Sequence, residues 1–160
     1  VLAYDPMLAR PTIEQILEET DFQVLCGKEY LERSVAKVIV AAMEPRDAVR
    51  YISEDSLMIT PGDREDMIMS ALTCFRESDN KKLKICGMIL SGGITPEPLI
   101  MNLLSKAEIP VLLADSDTYD VATCVHDLTV KIRPCDKDKI KAVEKLIREN
   151  VDFKKILSRL

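Results

Sequence analysis

In 160 residues the chain has no tryptophan, one histidine, three phenylalanines and four tyrosines. A surface built to stack nucleobases along a strand would want more aromatic side chains and a basic stripe. Here the formal net charge is −5, and the basic residues fall mostly in the C-terminal third, interleaved with acids on a solvated helix pattern. No nucleic-acid role is expected. The five cysteines, Cys26, Cys74, Cys86, Cys124 and Cys135, never form a C-x-x-C pair, and their number is odd. That spacing argues against a zinc site or a disulfide framework, and Cys74, Cys86 and Cys124 read as reduced, buried core thiols. The longest apolar run, Val38 to Met43, is far short of the roughly 18 residues needed to span a bilayer. Asp5 and Arg10 interrupt any apolar core near the start, so no secretory signal is expected. A soluble cytoplasmic protein without a membrane partner is the expectation.

What is present is a core-forming chain, 47% hydrophobic and 31% charged, of the size of one domain. Residues 1–11 lack periodicity, hold two prolines and read as an incoming linker; residues 12–160 read as a single domain. Thr12 with Gln15 forms a capping box, and Ile13, Ile16 and Leu17 follow as a short amphipathic helix. Phe22 to Leu25 reads as a strand, Ala36 to Met43 as a buried strand, and Pro45 as the first residue of a short helix. Leu57-Met58-Ile59 is a strand, broken by Thr60-Pro61-Gly62-Asp63 and followed by a helix with Ile68, Ala71, Leu72 and Phe75 on one face. Ile85 to Leu90 has the continuous apolar pattern of a strand covered on both faces. Ser91-Gly92-Gly93 breaks it; Thr95 is expected to cap the next helix, with Pro96 at its first position. That helix buries Ile100, Leu103, Leu104 and Ala107. Val111 to Ala114 is a further strand, ended by Asp115-Ser116-Asp117-Thr118 before a helix from Tyr119 to His126.

Strand, polar turn and helix thus recur three times, which predicts an α/β layered sandwich with a largely parallel, mixed sheet. Thr129 to Ile132 alternates like an edge strand. Asp136 to Asn150 reads as a charged amphipathic helix buried through Ile140, Val143 and Ile147. Phe153, Ile156, Leu157 and Leu160 continue the helical spacing, as core packing or as a dimer contact.

In such a sheet every strand-to-helix turn opens at the carboxyl edge of the strands, where ligands of open α/β sheets bind and helix N-termini offer N–H groups. The candidate ligand-binding residues are therefore Thr60, Gly62, Asp63, Arg64, Ser91, Gly92, Gly93, Asp115, Asp117 and Thr118. Asp63, Thr95 and either Asp117 or Thr118 also suit plain helix capping. Four carboxylates, on Asp63, Asp115, Asp117 and Asp120, oppose an anion unless Arg64 offsets them, and the chain has no G-x-x-x-x-G-K-[ST] loop. His126 is placed at a helix end and has no second histidine to work with. No catalytic residue, metal site or cofactor is assigned.

Asp63-Arg64, a helix, and then Ser91-Gly92-Gly93 resemble the signature of the DRTGG domain, with serine in place of the threonine. Ile109-Pro110-Val111-Leu112-Leu113 followed by Asp117-Thr118 resembles the later part of that family, and the likeness runs over about residues 12 to 130. The resemblance implies a fold similar to the N-terminal domain of HPr kinase/phosphorylase. It also implies a regulatory or oligomeric role, as in the middle of long phosphate acetyltransferases and between the CBS domains of some pyrophosphatases. Val1 to Leu8 resembles the exit of a P-loop domain into such a module, so an upstream P-loop partner domain is expected. Three readings follow. The chain is a homodimeric module sensing a small metabolite or nucleotide; or a purely structural oligomerisation module; or a small enzyme using Asp63, Asp115 and Asp117, the weakest of the three for want of a nucleophile–base pair.

Overall fold

The computed structural model describes residues 5–77, 85–134 and 136–151, the side chains of residues 74–77 aside. The described residues divide into two compact units, those within Pro11–Leu128 and those of residues 5–10 together with residues 129–151.

The larger unit is built on a five-stranded sheet in the order β1-β5-β4-β3-β2. The strands are β1 (Gln23–Cys26), β2 (Lys37–Val40), β3 (Ser56–Pro61), β4 (Ile85–Ser91) and β5 (Val111–Leu113). β2, β3, β4 and β5 are mutually parallel, and β1 runs antiparallel beside β5. Each parallel strand is laid beside the previous one in the same direction. Crossovers of one hand then put all their helices on one face. α2 (Pro45–Ala48), α3 (Glu65–Glu77) and α4 (Pro98–Ser105) accordingly pack together there, with Met67, Ile68, Leu72, Ile100 and Leu104 against Met58, Met88 and Leu90. The opposite face is covered by α1 (Ile13–Glu18) and α5 (Thr118–His126), through Ile13, Ile16, Val121 and Val125 against Leu57, Ile59 and Ile89. β4, in the middle, is buried along its whole length, as its unbroken apolar run predicts. The mixed α/β class is borne out.

α1 opens with the predicted capping box: the Thr12 hydroxyl oxygen accepts from the Gln15 N–H, and the Gln15 side-chain oxygen Oε1 accepts from the Thr12 N–H. Several local expectations fail for identifiable reasons. Ala36 to Met43 is not a buried strand. β2 ends the sheet, so Ile39 and Ala41 are covered while Val38 and Val40 face solvent. Thr60 and Pro61 do not break β3 but complete it. Thr95 does not cap α4: Pro98, not Pro96, takes the first helical position, with Glu97 before it. Each proline holds its predecessor extended, and the second abuts the amphipathic run. Asp63 is no cap either, since α3 begins at Glu65 and the Arg64 carbonyl accepts from the Ile68 N–H. Cys124 is exposed, because it falls outside the Val121–Ala122–Val125 stripe of α5; Cys86 is buried and Cys26 half-buried. The Phe75 and Cys74 side chains lie outside the described residues, as does Cys135.

In the smaller unit, α6 (Lys137–Asn150) forms where predicted, with Ile140, Val143 and Ile147 half-buried. The Lys139 ammonium, largely buried, donates to the Arg10 carbonyl. Thr129 to Ile132 is not a strand: the sheet's end strands are β1 and β2, and the alternation there belongs to a segment outside the sheet. Phe153, Ile156, Leu157 and Leu160 lie outside the described residues. Among the described residues no helix is long and apolar enough to cross a membrane.

Candidate functional site

Four parallel strands end on one edge, so the segments leaving β2, β3, β4 and β5 form a common rim. Gly62 N–H donates to the Ser91 carbonyl at 3.1 Å, joining the first turn to the end of β4. Gly92 N–H donates to the Ser116 carbonyl at 2.8 Å, and Gly93 N–H to the Ala114 carbonyl at 2.9 Å, joining the second turn to the third. The hydroxyl oxygens of Ser91 and Thr118 stand 2.7 Å apart and share a hydrogen bond. The predicted convergence of the three turns is therefore literal: they are bonded to one another.

The glycines serve this arrangement in different ways. A Cβ on Gly62 would stand 1.7 Å from the Ile94 carbonyl oxygen, so glycine is required for two backbones to touch and not for a ligand to approach. Gly92 and Gly93 adopt φ of +82° and +65°, the left-handed region that glycine enters without steric cost. A Cβ on Gly92 would meet nothing nearer than the Ile94 side chain at 3.7 Å. Gly92 is the open point of the rim.

The predicted residues separate by exposure. Asp63, Gly92, Gly93, Asp115 and Asp117 face solvent; Arg64 and Thr118 are half-buried; Thr60, Gly62 and Ser91 are buried. The Thr60 hydroxyl has no hydrogen-bond partner. By alternation with Met58 it lies on the face covered by α3 and α4.

The rim's electrostatics are unlike those of a phosphate cradle. Asp117 Oδ1 accepts from the N–H groups of Tyr119 and Asp120 at 2.9 and 3.0 Å, capping α5. Glu65 Oε1 accepts from Glu97 N–H at 3.0 Å, which holds the start of α3 to the segment entering α4. The amides of Gly62, Gly92 and Gly93 are already spent. The N–H groups expected to be available to an anion are thus largely committed within the protein. Arg64 is committed too. Its Nε and Nη2 donate to the two carboxylate oxygens of Asp66 at 2.9 and 3.0 Å, and Nη2 also donates to the Met43 carbonyl at 3.3 Å. The hydrogen bond from Arg64 holds the Asp66 carboxyl below its usual range, and the same bond raises the guanidinium. Among the described residues no three histidine, cysteine, aspartate or glutamate side chains gather as a metal set.

Sequence reasoning missed Met43, Glu65, Ile94 and Glu97, which reach the rim through backbone atoms or across loops. It also missed the exposure of the apolar side chains of Met43, Ile94, Leu99 and Tyr119. An apolar residue directly after Gly92-Gly93, and an aromatic one at the start of a capped helix, were the available signals.

The comparisons with known proteins agree with the motif. The chain is 31% identical to a phosphate acetyltransferase of Nitratidesulfovibrio vulgaris over 100% of its own length and 23% of the relative's. It is 30% identical to a phosphate acetyltransferase of Synechocystis over 98% of its length and 22% of the relative's. It therefore spans less than a quarter of these relatives. Its fold is similar to a crystal structure of the CBS and DRTGG domains from the regulatory region of Clostridium perfringens pyrophosphatase, complexed with the activator diadenosine tetraphosphate. That match has a TM-score of 0.61 and 22% identity, and covers 92% of this chain and 65% of the other. The DRTGG domain model matches residues 15–128, a span that takes in the whole sheet and all three turns of the rim. The chain belongs to the DRTGG domain family.

Proposed function

We propose that this chain is a non-catalytic regulatory module of a longer cytoplasmic protein of the phosphate acetyltransferase kind, following an upstream P-loop domain. In this reading it pairs with a second copy of itself and senses a small metabolite or nucleotide at the rim. The supporting observation is the bonding between turns. A ligand meeting Gly92, Asp63 or Asp115 touches backbone that is tied, through Gly62–Ser91 and Gly92–Ser116, to β3, β4 and β5 together. Binding energy spent at one turn is then felt by all three, which is what a regulatory element needs. The relative whose domains were crystallised with diadenosine tetraphosphate supports a nucleotide as the first ligand to try. Any chemistry of the longer protein would belong to its other domains.

The test is thermal unfolding against a panel of mono-, di- and dinucleoside polyphosphates, with and without magnesium. A ligand at 100 times its Kd should stabilise by about 2.7 kcal/mol, and Gly92→Val should remove that gain while leaving a folded protein. A panel with no shift, for wild type and variant alike, would dismiss the sensing role. A purely structural oligomerisation module is the second reading, favoured by the exposed apolar edge at β2.

A further inference from the structure

The two units are consolidated by different means. In the sheet-bearing unit the core is apolar, with Ile13, Leu57, Ile59, Met88, Ile89 and Leu104 fully buried. In the smaller unit no apolar side chain among the described residues is buried. There α6 keeps Ile140, Val143 and Ile147 half-buried, and the short 3-10 turn at Pro6–Ala9 buries nothing. Among those residues the one buried side chain is that of Lys139, 7% exposed. Two segments far apart in sequence meet at it. α6 packs on the Pro6–Ala9 turn, and the Lys139 ammonium donates to the carbonyl of Arg10, the residue that follows that turn.

We propose that Lys139 fastens a strap, formed by residues 5–10 and α6, that opens while the sheet stays folded. Apolar burial is the main source of stability, at about 25 cal/mol per Å². A unit without a buried apolar side chain has little of it, so its opening free energy falls at the low end of the range found within one protein. The bond from Lys139 is then what joins residues 5–10 to α6, and it is made at a cost. The ammonium belongs to the first turn of α6, where the helix dipole opposes a positive charge. Burial, with Arg133 adding to it and Asp136 working against it, holds the ammonium's pKa below the ordinary lysine value. Such a contact can release. Arg10 leads directly into Pro11, and α6 follows Leu128 by a short segment. The strap therefore ties the chain entering the sheet-bearing unit to the chain leaving it, and opening frees both connections together. Elements that move in regulation are drawn from this low-stability end of a fold.

Hydrogen exchange of the whole chain, read by mass spectrometry on peptides covering residues 5–10, α6 and β4, tests this. In wild type without denaturant, α6 should exchange about a hundredfold faster than β4, or more. Lys139→Ala should speed exchange about fivefold or more in residues 5–10 and in α6 together, and leave β4 as it was. Alanine is the better helix former, so a weaker α6 cannot be the cause. Lys141→Ala, at an exposed position of the same helix, is the control and should leave residues 5–10 unchanged. An α6 that exchanges at the rate of β4 would make the two units one cooperative whole and overturn the strap. Acceleration by Lys139→Ala that is absent, or confined to α6, would overturn the role of Lys139 as its fastening.

Discussion

The carboxyl rim and the β2 edge belong to one sheet and are built on opposite plans. At the rim the polar backbone is spent internally: Gly62, Gly92 and Gly93 donate to neighbouring turns, while Asp117 and Glu65 occupy amides at the two helix starts. At the edge the strand has no partner on one side, and its apolar side chains stand in water. A surface whose hydrogen bonds are satisfied resists movement, and a ligand there works by perturbing a rigid unit. A surface left unsatisfied gains by meeting another chain. The difference separates an internally bonded surface from an open one.

The largest test of the rim's rigidity is Gly62→Ala. Its Cβ would press on the Ile94 carbonyl oxygen at 1.7 Å, backbone against backbone with no flexible side chain to yield. A loss of about 3 kcal/mol is expected, read by urea unfolding. Gly92→Ala is the matched control, since the site is open and only the left-handed backbone at φ +82° resists; that costs about 1–2 kcal/mol. Equal losses at the two glycines would mean that the turns are neighbours without being fastened.

An intermediate effect is expected on the β2 side, through pH. Cys86 is buried, and desolvation, aided by the nearby Asp55 carboxylate, pushes its thiol from 9.0 to about 12. The folded pKa lies above the unfolded one. The contribution is therefore complete below pH 9 and is lost as pH rises from 9 towards 12, where the unfolded chain releases a proton that the folded chain keeps. At pH 10 the loss is about 1 kcal/mol. The Cys86 thiol donates to the Asp55 carbonyl at 3.4 Å, and that same carbonyl accepts from Ala36 N–H at the foot of β2. Denaturant titrations of wild type and Cys86→Ala at pH 8 and pH 10 check this. A pH dependence unchanged in the variant would assign the alkaline loss to other groups.

Much of the fold was legible because its signals are local. The Thr12–Gln15 capping box, the apolar run of β4 and the Ile68–Ala71–Leu72 stripe of α3 are each contained within one element. The errors came where the deciding information is elsewhere in the chain. Whether Val38 and Val40 are buried depends on where the sheet stops, which their own alternation cannot state. Pro96 and Pro98 both suit a helix start, and only the packing of Ile100 and Leu104 chooses between them. The rim shows the same division. Its three turns were foreseeable from the repeated strand–turn–helix rhythm. That the Gly92 amide would be taken by Ser116, and the Glu97 amide by Glu65, could not be read from residues so far apart in sequence.

The smallest expected change is a gain. Thr60 is fully buried in β3 just below the rim, and its hydroxyl has no partner. A buried hydroxyl without a hydrogen bond carries a desolvation cost that nothing offsets, and valine replaces it with a methyl of nearly the same shape. Thr60→Val should therefore raise stability by about 1 kcal/mol in urea unfolding. A loss of stability would instead show that the Thr60 hydroxyl has a partner in solution, such as an internal water, and that the rim is satisfied more deeply than its backbone bonds alone indicate.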